Sequence, residues 1–459
     1  MLHTKILIRL VYICIVAAFV AGCGEGVHAP PANPAIKSFT ATPSIVSPGQ
    51  PTTLSVDFTG GTGKIVSFGN NTTVSRITFG NATTIRPKVD TTYTLTVTNR
   101  AGVKVSQQVV VKLSAIQSRF SSSIGATVDP RDNFTATFLD PSKVSGPNAG
   151  KVLLAGGGTG AALHFQKSAE LFDPVTSTFT RTGFMAYSSA SHTATLLNNG
   201  QVLFTGGWDG LKSHNEAQLY DPATGLFAFT TGFMGRVRSL HTATLLPGGM
   251  VLITGGFDGS VSLSSAELYN FVTGTFTFTN PMAVARSGHT ATLLNNGKVL
   301  IAGGTPDDTR CELYDPVSGT FTFTKGHMTY QRSFHTATLL SGDPNAKVLI
   351  AGGSSGTIAE LYDPVTDTFG ATNPMTAVRT FHTATLLPDS RVLLAGGSDE
   401  SAELYDPDTR SFAETLRPMK EARGSHAAIL LPNVTGPPVP GIVLLVGGTG
   451  LKNRADLFR

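Results

Sequence analysis

Arginine and histidine side chains recur at fixed spacing in this chain, and they are the residues whose types could do chemistry. Six arginines stand three residues before a His or its equivalent: Arg131, Arg238, Arg286, Arg332, Arg379 and Arg423. One repeat departs, with Ser189 at that position. Guanidinium groups around one opening would bind carboxylates, phosphates or acidic sugars with bidentate geometry. The pattern predicts a ligand-binding ring of arginines. The alternative, favoured because the Arg recurs with the repeat, is that each Arg pairs with a carboxylate of its own or a neighbouring repeat.

Aromatic residues follow paired glycines in two adjacent repeats. Trp208, the only tryptophan, and Phe257 occupy this place in long loops. They are predicted to stack on a sugar or grip a peptide, with packing over the rim as the alternative. His164 and His214 with Asp209 could form a metal site, but their spacing matches no metal motif, so no metal or cofactor is predicted.

One unit repeats through most of the chain. The phrase His-Thr-Ala-Thr-Leu-Leu or a degenerate copy begins at seven places, with successive His positions 44 to 49 residues apart: Phe134, His192, His241, His289, His335, His382 and His426. Each copy leads into a Val-Leu run ending in two glycines, then Glu-Leu-Tyr-Asp-Pro or a relative, then a Thr-Phe strand. Four short strands per unit are predicted. The repeated His is expected to be a hydrogen-bonded structural residue, and Cys311 a small core residue.

The double glycine, the Tyr and the later Phe resemble the kelch repeat. The resemblance implies an all-β fold in which residues 118–459 form a seven-bladed kelch-type β-propeller, one repeat per blade. In kelch folds the loops carrying the arginines share a face with the loops after the double glycine, and that face commonly binds the partner. The last repeat lacks its Thr-Phe strand. Residues 118–122 have a sequence pattern similar to that of the missing strand. They are predicted to pair with the last repeat and so to close the ring.

Residues 35–114 alternate apolar and polar side chains in short runs, which predicts a β-sandwich. The stretch from Asp90 to Asn99 resembles a strand of disulfide-free bacterial immunoglobulin-like domains, with Tyr93 in the place of the corner tyrosine. The resemblance implies an immunoglobulin-like domain acting as a spacer.

The N-terminal residues predict where in the cell the protein is located. Lys5 and Arg9 precede the apolar run 10–21, which is shorter than the roughly 20 residues that span a bilayer. The ending Val-Ala-Gly-Cys23 resembles the lipobox of bacterial lipoproteins. This implies a signal peptide over 1–22, lipidation at Cys23, a Pro-rich tether over 23–34, and an outer-membrane or cell-surface location. With Cys14 removed and Cys23 lipidated, Cys311 has no disulfide partner.

These patterns together predict a membrane-anchored extracytoplasmic binding module, monomeric, that presents a kelch propeller to a protein or glycan. The net charge of +4, or +2 once Lys5 and Arg9 are removed (4 − 2), gives no basis for nucleic-acid binding. No catalytic residue is predicted. The alternatives are a galactose oxidase-like or other carbohydrate-active enzyme and a cell-envelope scaffold. The oxidase resemblance would need a Tyr cross-linked to a Cys, and the one candidate, Cys311, lies on a repeat strand.

Overall fold

The structure is a computed structural model that describes residues 32–42, 44–46, 52–67, 73–77, 82–85, 91–113, 120–121, 124–159, 164–306, 308–341, 343–397, 399–431, 441–449 and 453–459. Cys23 and the predicted signal peptide lie outside them. The chain divides into two compact units, Met1–Ser114 and Ala115–Arg459. Within the described ranges, no helix is long and apolar enough to cross a bilayer.

The first unit is made of two sheets whose inner faces share one core. Its described strands are β1 (Ala35–Thr42), β2 (Ile45–Val46), β3 (Thr52–Thr59), β4 (Thr62–Ser67), β5 (Thr73–Ile77), β6 (Ala82–Ile85), β7 (Thr91–Thr98) and β8 (Lys104–Leu113). The strand orders are β1-β3-β6 and β2-β8-β7-β4-β5. Buried and part-exposed residues alternate along β3 and β7, as the period-two pattern predicts. Leu54 and Phe58 of one sheet pack with Ile65 and Leu95 of the other. Tyr93 is buried in the same core. The immunoglobulin-like assignment stays a prediction.

The second unit is built from short strands of two to five residues. They are β9 (Phe120–Ser121), β10 (Thr135–Phe138), β11 (Val152–Ala155), β12 (Ala169–Asp173), β13 (Thr178–Arg181), β14 (Thr193–Leu196), β15 (Val202–Thr205), β16 (Ala217–Asp221), β17 (Leu226–Phe229), β18 (Thr242–Leu245), β19 (Val251–Thr254), β20 (Ala266–Asn270), β21 (Thr275–Phe278), β22 (Thr290–Leu293), β23 (Val299–Ala302), β24 (Glu312–Asp315), β25 (Thr320–Phe323), β26 (Thr336–Leu339), β27 (Val348–Ala351), β28 (Ala359–Asp363), β29 (Thr368–Ala371), β30 (Thr383–Leu386), β31 (Val392–Ala395), β32 (Ala402–Asp406), β33 (Ser411–Glu414), β34 (Ala427–Leu431), β35 (Ile442–Val446) and β36 (Ala455–Phe458).

These strands form four-stranded antiparallel sheets, of which the described part of the unit contains seven. Six sheets use consecutive strands, from β10-β11-β12-β13 to β30-β31-β32-β33. The seventh has the order β34-β35-β36-β9, with Phe120 opposite Phe458. This is the pairing predicted at the seam. The first strands of neighbouring sheets contact one another in turn, and β34 contacts β10, so the series closes on itself. A closed ring leaves no sheet at the end of the series with an uncovered face.

The core lies between neighbouring sheets. The second strand of each sheet is a fully buried Val-Leu run, as in β11, β15 and β19. Leu153 and Met185 of the first sheet pack against Val202 and Tyr220 of the second. The first strands carry Thr and Ala, which are small enough to stand close around the central channel.

The paired glycines permit a close approach between sheets. Gly206 and Gly207 have φ values of 60° and 102°, which side-chain-bearing residues rarely adopt. A Cβ on Gly206 would collide with the main-chain carbonyl of Arg238 in the next sheet. The glycine pair is therefore required by the packing of one blade against the next.

Removing β9 should open the ring at its seam. Phe120 is buried and its ring lies 5.1 Å from that of Phe458. A chain beginning at residue 118 should have the same melting temperature as the full-length propeller. A chain beginning at residue 124 lacks Phe120, and its free energy of unfolding should be lower by about 3 kcal/mol or more, which is the typical cost of truncating a buried Phe. Thermal unfolding of both truncations measures this. Equal melting temperatures would contradict closure through β9.

Candidate functional site

A closed ring of main-chain hydrogen bonds surrounds the mouth of the central channel. We call its members the mouth ring: Asn133, Ser191, Leu240, Gly288, Phe334, Phe381 and Ser425. Each immediately precedes the first strand's His or Phe and has a positive φ of 50° to 62°. Each N–H donates to the carbonyl of its counterpart in the preceding sheet, with N to O distances of 2.9 to 3.2 Å. The left-handed backbone is strained in non-glycine residues, and here it is held by one hydrogen bond between each pair of neighbouring sheets.

The repeated histidines form the layer beneath the mouth ring. In six sheets the His Nε2 lies 2.9 to 3.2 Å from a Thr hydroxyl of the preceding sheet, as from His192 to Thr135 and from His335 to Thr290. Burial is the main cause that lowers the pKa of His192 to about 4 and of His289, His382 and His426 to about 3. The histidines are therefore neutral at physiological pH, and the prediction of a hydrogen-bonded structural His is confirmed.

The mouth ring and the histidines line a cavity of about 310 Å³. One side is apolar, formed by Leu240, Phe334 and Phe381, and the two Phe rings stack with centroids 4.3 Å apart. Phe381 is 42 % exposed. The other side presents Asn133, Ser191 and Ser425. Since the lining of the described cavity includes no Asp, Glu, Lys or Arg and its histidines are neutral, the cavity suits an uncharged ligand.

The structure corrects the prediction of a ligand-binding arginine ring. All six arginines are at most 2 % exposed. Each contacts a carboxylate on the third strand of its own sheet: Arg131–Glu170 at 2.8 Å, Arg238–Glu267 at 2.7 Å, Arg286–Glu312 at 3.3 Å, Arg332–Glu360 at 2.9 Å, Arg379–Glu403 at 2.6 Å and Arg423–Asp456 at 3.0 Å. The Nη1 group also donates to the carbonyl of the first paired glycine, as from Arg379 to Gly396. A buried cation needs such a partner, so these guanidinium groups are not open to a ligand.

The second sheet contains the exception to this pattern, and its partner residue changes with it. Where the other sheets have Arg and a carboxylate, this sheet has Ser189 and Gln218. The Ser189 hydroxyl donates to the Gly206 carbonyl at 3.0 Å, in place of a guanidinium. Gln218 Oε1 accepts from the Ala186 N–H, as Glu267 accepts from Gly235. The joint loss of both charges is visible in the sequence and would have identified the pairs.

Trp208 and Phe257 lie beside the mouth ring. Trp208 exchanges two main-chain hydrogen bonds with Ala190, at 2.8 and 2.9 Å, and Phe257 exchanges two with Ser239, at 2.7 and 2.9 Å. Ala190 and Ser239 precede mouth-ring residues, so the loops after the glycines share one face with the channel mouth, as the kelch resemblance implied. Both aromatic residues are partly exposed. Their role in ligand binding stays a prediction.

Of the three residues considered for a metal site, His214 and Asp209 lie in contact. His164 is exposed and His214 is buried. No group of three His, Cys, Asp or Glu side chains in the described ranges could hold a metal ion. Cys311 is buried, which raises the pKa of its thiol to about 12 and leaves it a poor nucleophile at neutral pH.

Comparison with known proteins agrees with the fold. Residues 239–283 match the Kelch motif. A solved structure described as a novel fungal alcohol oxidase with catalytic diversity among the AA5 family, in complex with copper, aligns with a TM-score of 0.58 over 74 % of this chain and 76 % of that one. Sequence identity is 16 %, so this likeness concerns the fold alone. No curated protein matches the chain.

The second unit therefore has the fold of a β-propeller, and one of its repeats matches the Kelch motif. Two features distinguish its sheets and its mouth. The mouth ring is uncharged and partly aromatic, and the second sheet has Ser189 and Gln218 where the other sheets have Arg and a carboxylate.

Proposed function

We propose that this protein is a membrane-anchored, extracytoplasmic binding module whose seven-bladed propeller binds a protein or glycan partner at the face that carries the mouth ring. The observation that supports this most is that the recurring polar side chains contact other groups of the protein, whereas the side chains of the mouth ring differ from sheet to sheet. The recurring Arg side chains pair with carboxylates inside their own sheets, and the recurring His side chains contact Thr hydroxyls of the preceding sheet. The residues left for a partner are blade-specific. Kelch repeats generally mediate protein binding, which agrees with this reading.

The composition of the mouth indicates the chemistry of the partner. Aromatic faces such as that of Phe381 stack on the apolar face of a sugar ring or on an uncharged side chain. Ser191, Ser425 and Asn133 supply hydroxyl and amide groups that can hydrogen-bond to hydroxyl or peptide groups. Because the cavity lining lacks charged side chains, we expect affinity that changes little with salt concentration.

The anchor and spacer in this proposal come from the sequence. Lipidation at Cys23, the tether over 23–34 and an immunoglobulin-like spacer would hold the propeller away from the membrane, where a large partner could reach its mouth. The proposed surface location follows from the same segment. An envelope scaffold would use the same architecture but would co-purify with fixed partners.

The oxidase alternative rests on fold likeness. A copper site of the type that the fold implies needs free His and Tyr ligands. Here the channel histidines line the cavity, but the third-strand tyrosines, including Tyr269 and Tyr314, are fully buried between sheets, so the described cavity has no Tyr ligand beside its histidines. These residues do not fit a copper centre, so we propose no redox step.

Substituting the mouth aromatics should weaken binding. A form without the anchor, residues 24–459, would be applied to glycan arrays and used as bait in envelope extracts, and the affinity for any partner found would be measured by titration. Phe381→Ala combined with Trp208→Ala should raise Kd about tenfold or more, since each lost aromatic contact is worth roughly 0.5–1.5 kcal/mol. Phe229→Ala, which truncates a similarly exposed Phe on an outer strand (52 % against 42 % for Phe381), is the control. Equal loss in the control, or none in the mouth variant, would argue against this site.

A further inference from the structure

The second sheet holds an ionic cluster of one buried histidine and two carboxylates, a combination that the other described sheets lack. His214 is buried, with Nε2 3.0 Å from Asp209 Oδ2 and Nδ1 3.0 Å from Glu216 Oε2. The Nδ1 contact has hydrogen-bond geometry, whereas the Nε2 contact does not, and it becomes an ion pair only when the imidazole is protonated. The Tyr187 ring stacks on the imidazole at 4.2 Å. Tyr187 also donates to the Glu216 carbonyl, the counterpart of the carbonyl that accepts from Arg238 in the third sheet.

Both ring nitrogens of His214 lie 3.0 Å from carboxylate oxygens, and this arrangement favours the imidazolium. A neutral imidazole has one N–H donor, so one of its nitrogen lone pairs would face a carboxylate oxygen. Burial tends to raise the pKa of Asp209, but the Lys212 and Leu211 N–H groups and His214 lower it overall. For Glu216, burial is likewise outweighed by the N–H of Glu216 itself and by His214. Both carboxylates are thus ionised at neutral pH.

This cluster closes the loop that carries Trp208. The His214 N–H donates to the Gly207 carbonyl, and Trp208 forms a β-bridge with Ser213. Asp209, the residue after Trp208, receives the Leu211 and Lys212 N–H groups on Oδ1 and keeps Oδ2 for His214. A change in the charge of His214 therefore acts directly on the segment next to Trp208.

The third sheet contains the same loop without the ionic cluster. Asp258 receives the Ser260 and Val261 N–H groups, and Leu263 occupies the place of His214, with its N–H on the Gly256 carbonyl. Leu263 is buried, and Ser265 stands where the second sheet has Glu216. An apolar residue is therefore sufficient to fold this loop. The second sheet instead has a histidine there, which is the type of side chain whose charge ordinarily changes between about pH 5 and 8.

We propose that His214 is a proton-dependent positioning residue: its imidazolium, held between Asp209 and Glu216, fixes the 208–216 loop and places Trp208 beside the channel mouth. Loss of the proton releases the loop and makes Trp208 more accessible. The other titratable or charged groups that face this cluster are Tyr187, whose pKa burial raises, and Lys212, which acts on Glu216. Arg238 contacts His214 through the main chain only, while its guanidinium pairs with Glu267.

Fluorescence of Trp208 tests the proposal without any partner, because it is the chain's only tryptophan. The full chain would be titrated from about pH 6 to about pH 9, following emission maximum and acrylamide quenching, with far-UV circular dichroism to verify the fold. Wild type should show one transition, with a red shift and stronger quenching on the alkaline side. A transition of this kind is independent of the proposed binding function.

Two variants decide the outcome. His214→Leu, which copies the third sheet, should give fluorescence that does not change with pH. Glu216→Gln removes one charge that stabilises the imidazolium and should move the transition to lower pH. A flat wild-type titration, or the same transition in His214→Leu, would overturn the proposal. If His214→Leu does not fold, an unshifted transition in Glu216→Gln overturns it instead.

Discussion

Acidification should unfold the propeller, and the buried channel histidines should set the pH range in which this happens. Their folded pKa values of about 3 to 4 lie below the unfolded value of about 6.5. Between these values the unfolded chain binds protons that the folded chain does not, so the free energy of unfolding falls as pH drops from about 6.5 towards 3. At about pH 5 each such His lowers the free energy of unfolding by on the order of 2 kcal/mol, relative to neutral pH. Four would cost about 8 kcal/mol, which is comparable with the whole stability of a typical domain.

Urea unfolding at several pH values between about 5 and 7.5 measures this dependence. The matched variant is His289→Phe, because the first sheet has Phe134 at this position. Thr242 and Thr254, which contact His289, also lie 2.7 Å from each other and keep that hydrogen bond. Between pH 7.5 and 5, the free energy of unfolding of this variant should fall by about 2 kcal/mol less than that of the wild type. An unchanged pH dependence would mean that groups other than the histidines govern acid unfolding.

Much of this architecture could be predicted from the sequence because each repeat must satisfy the same packing. The repeat predicted four short strands per sheet, and the unmatched last repeat predicted the pairing of β9 with β36. The arginines were harder to interpret, since a recurring cation can face a ligand or a core. The exchange of Arg and Glu for Ser189 and Gln218 in one repeat was the available signal. Reading the partner residue together with the Arg would have placed both inside the sheet.

The mouth ring could not be predicted, for a physical reason. Ser191, Leu240 and Phe334 disfavour a positive φ when considered alone. They adopt it because closing the ring brings each N–H to the carbonyl of its neighbour, as from Leu240 to Ser191 at 3.1 Å. That geometry depends on all the sheets at once and leaves no trace in any single repeat. The same closure places Phe334 against Phe381 and so creates the apolar side of the cavity.

Breaking one Arg–Glu pair should destabilise the propeller strongly, whereas removing both charges should cost much less. Arg379 and Glu403 are fully buried. The Arg379 Nε contacts Glu403 at 2.6 Å, and its Nη groups donate to Gly396 and Ser401. Arg379→Ser leaves the Glu403 carboxylate buried without its cation, which typically costs about 3–5 kcal/mol. The double variant Arg379→Ser with Glu403→Gln copies the second sheet, and we expect it to recover at least half of that loss.

A double-mutant cycle by urea unfolding at neutral pH separates the pair from its neighbours. Glu403→Gln alone should also be destabilised, because the buried guanidinium then keeps its Gly396 and Ser401 acceptors but only one carboxylate, the partly exposed Asp399 at 3.8 Å. A coupling energy of about 2 kcal/mol or more would establish that these arginines hold each blade together through their own carboxylates. If Arg379→Ser were as stable as wild type, the guanidinium would be dispensable for the fold. The six arginines would then again be candidates for a ligand site, with their burial relieved when a partner binds.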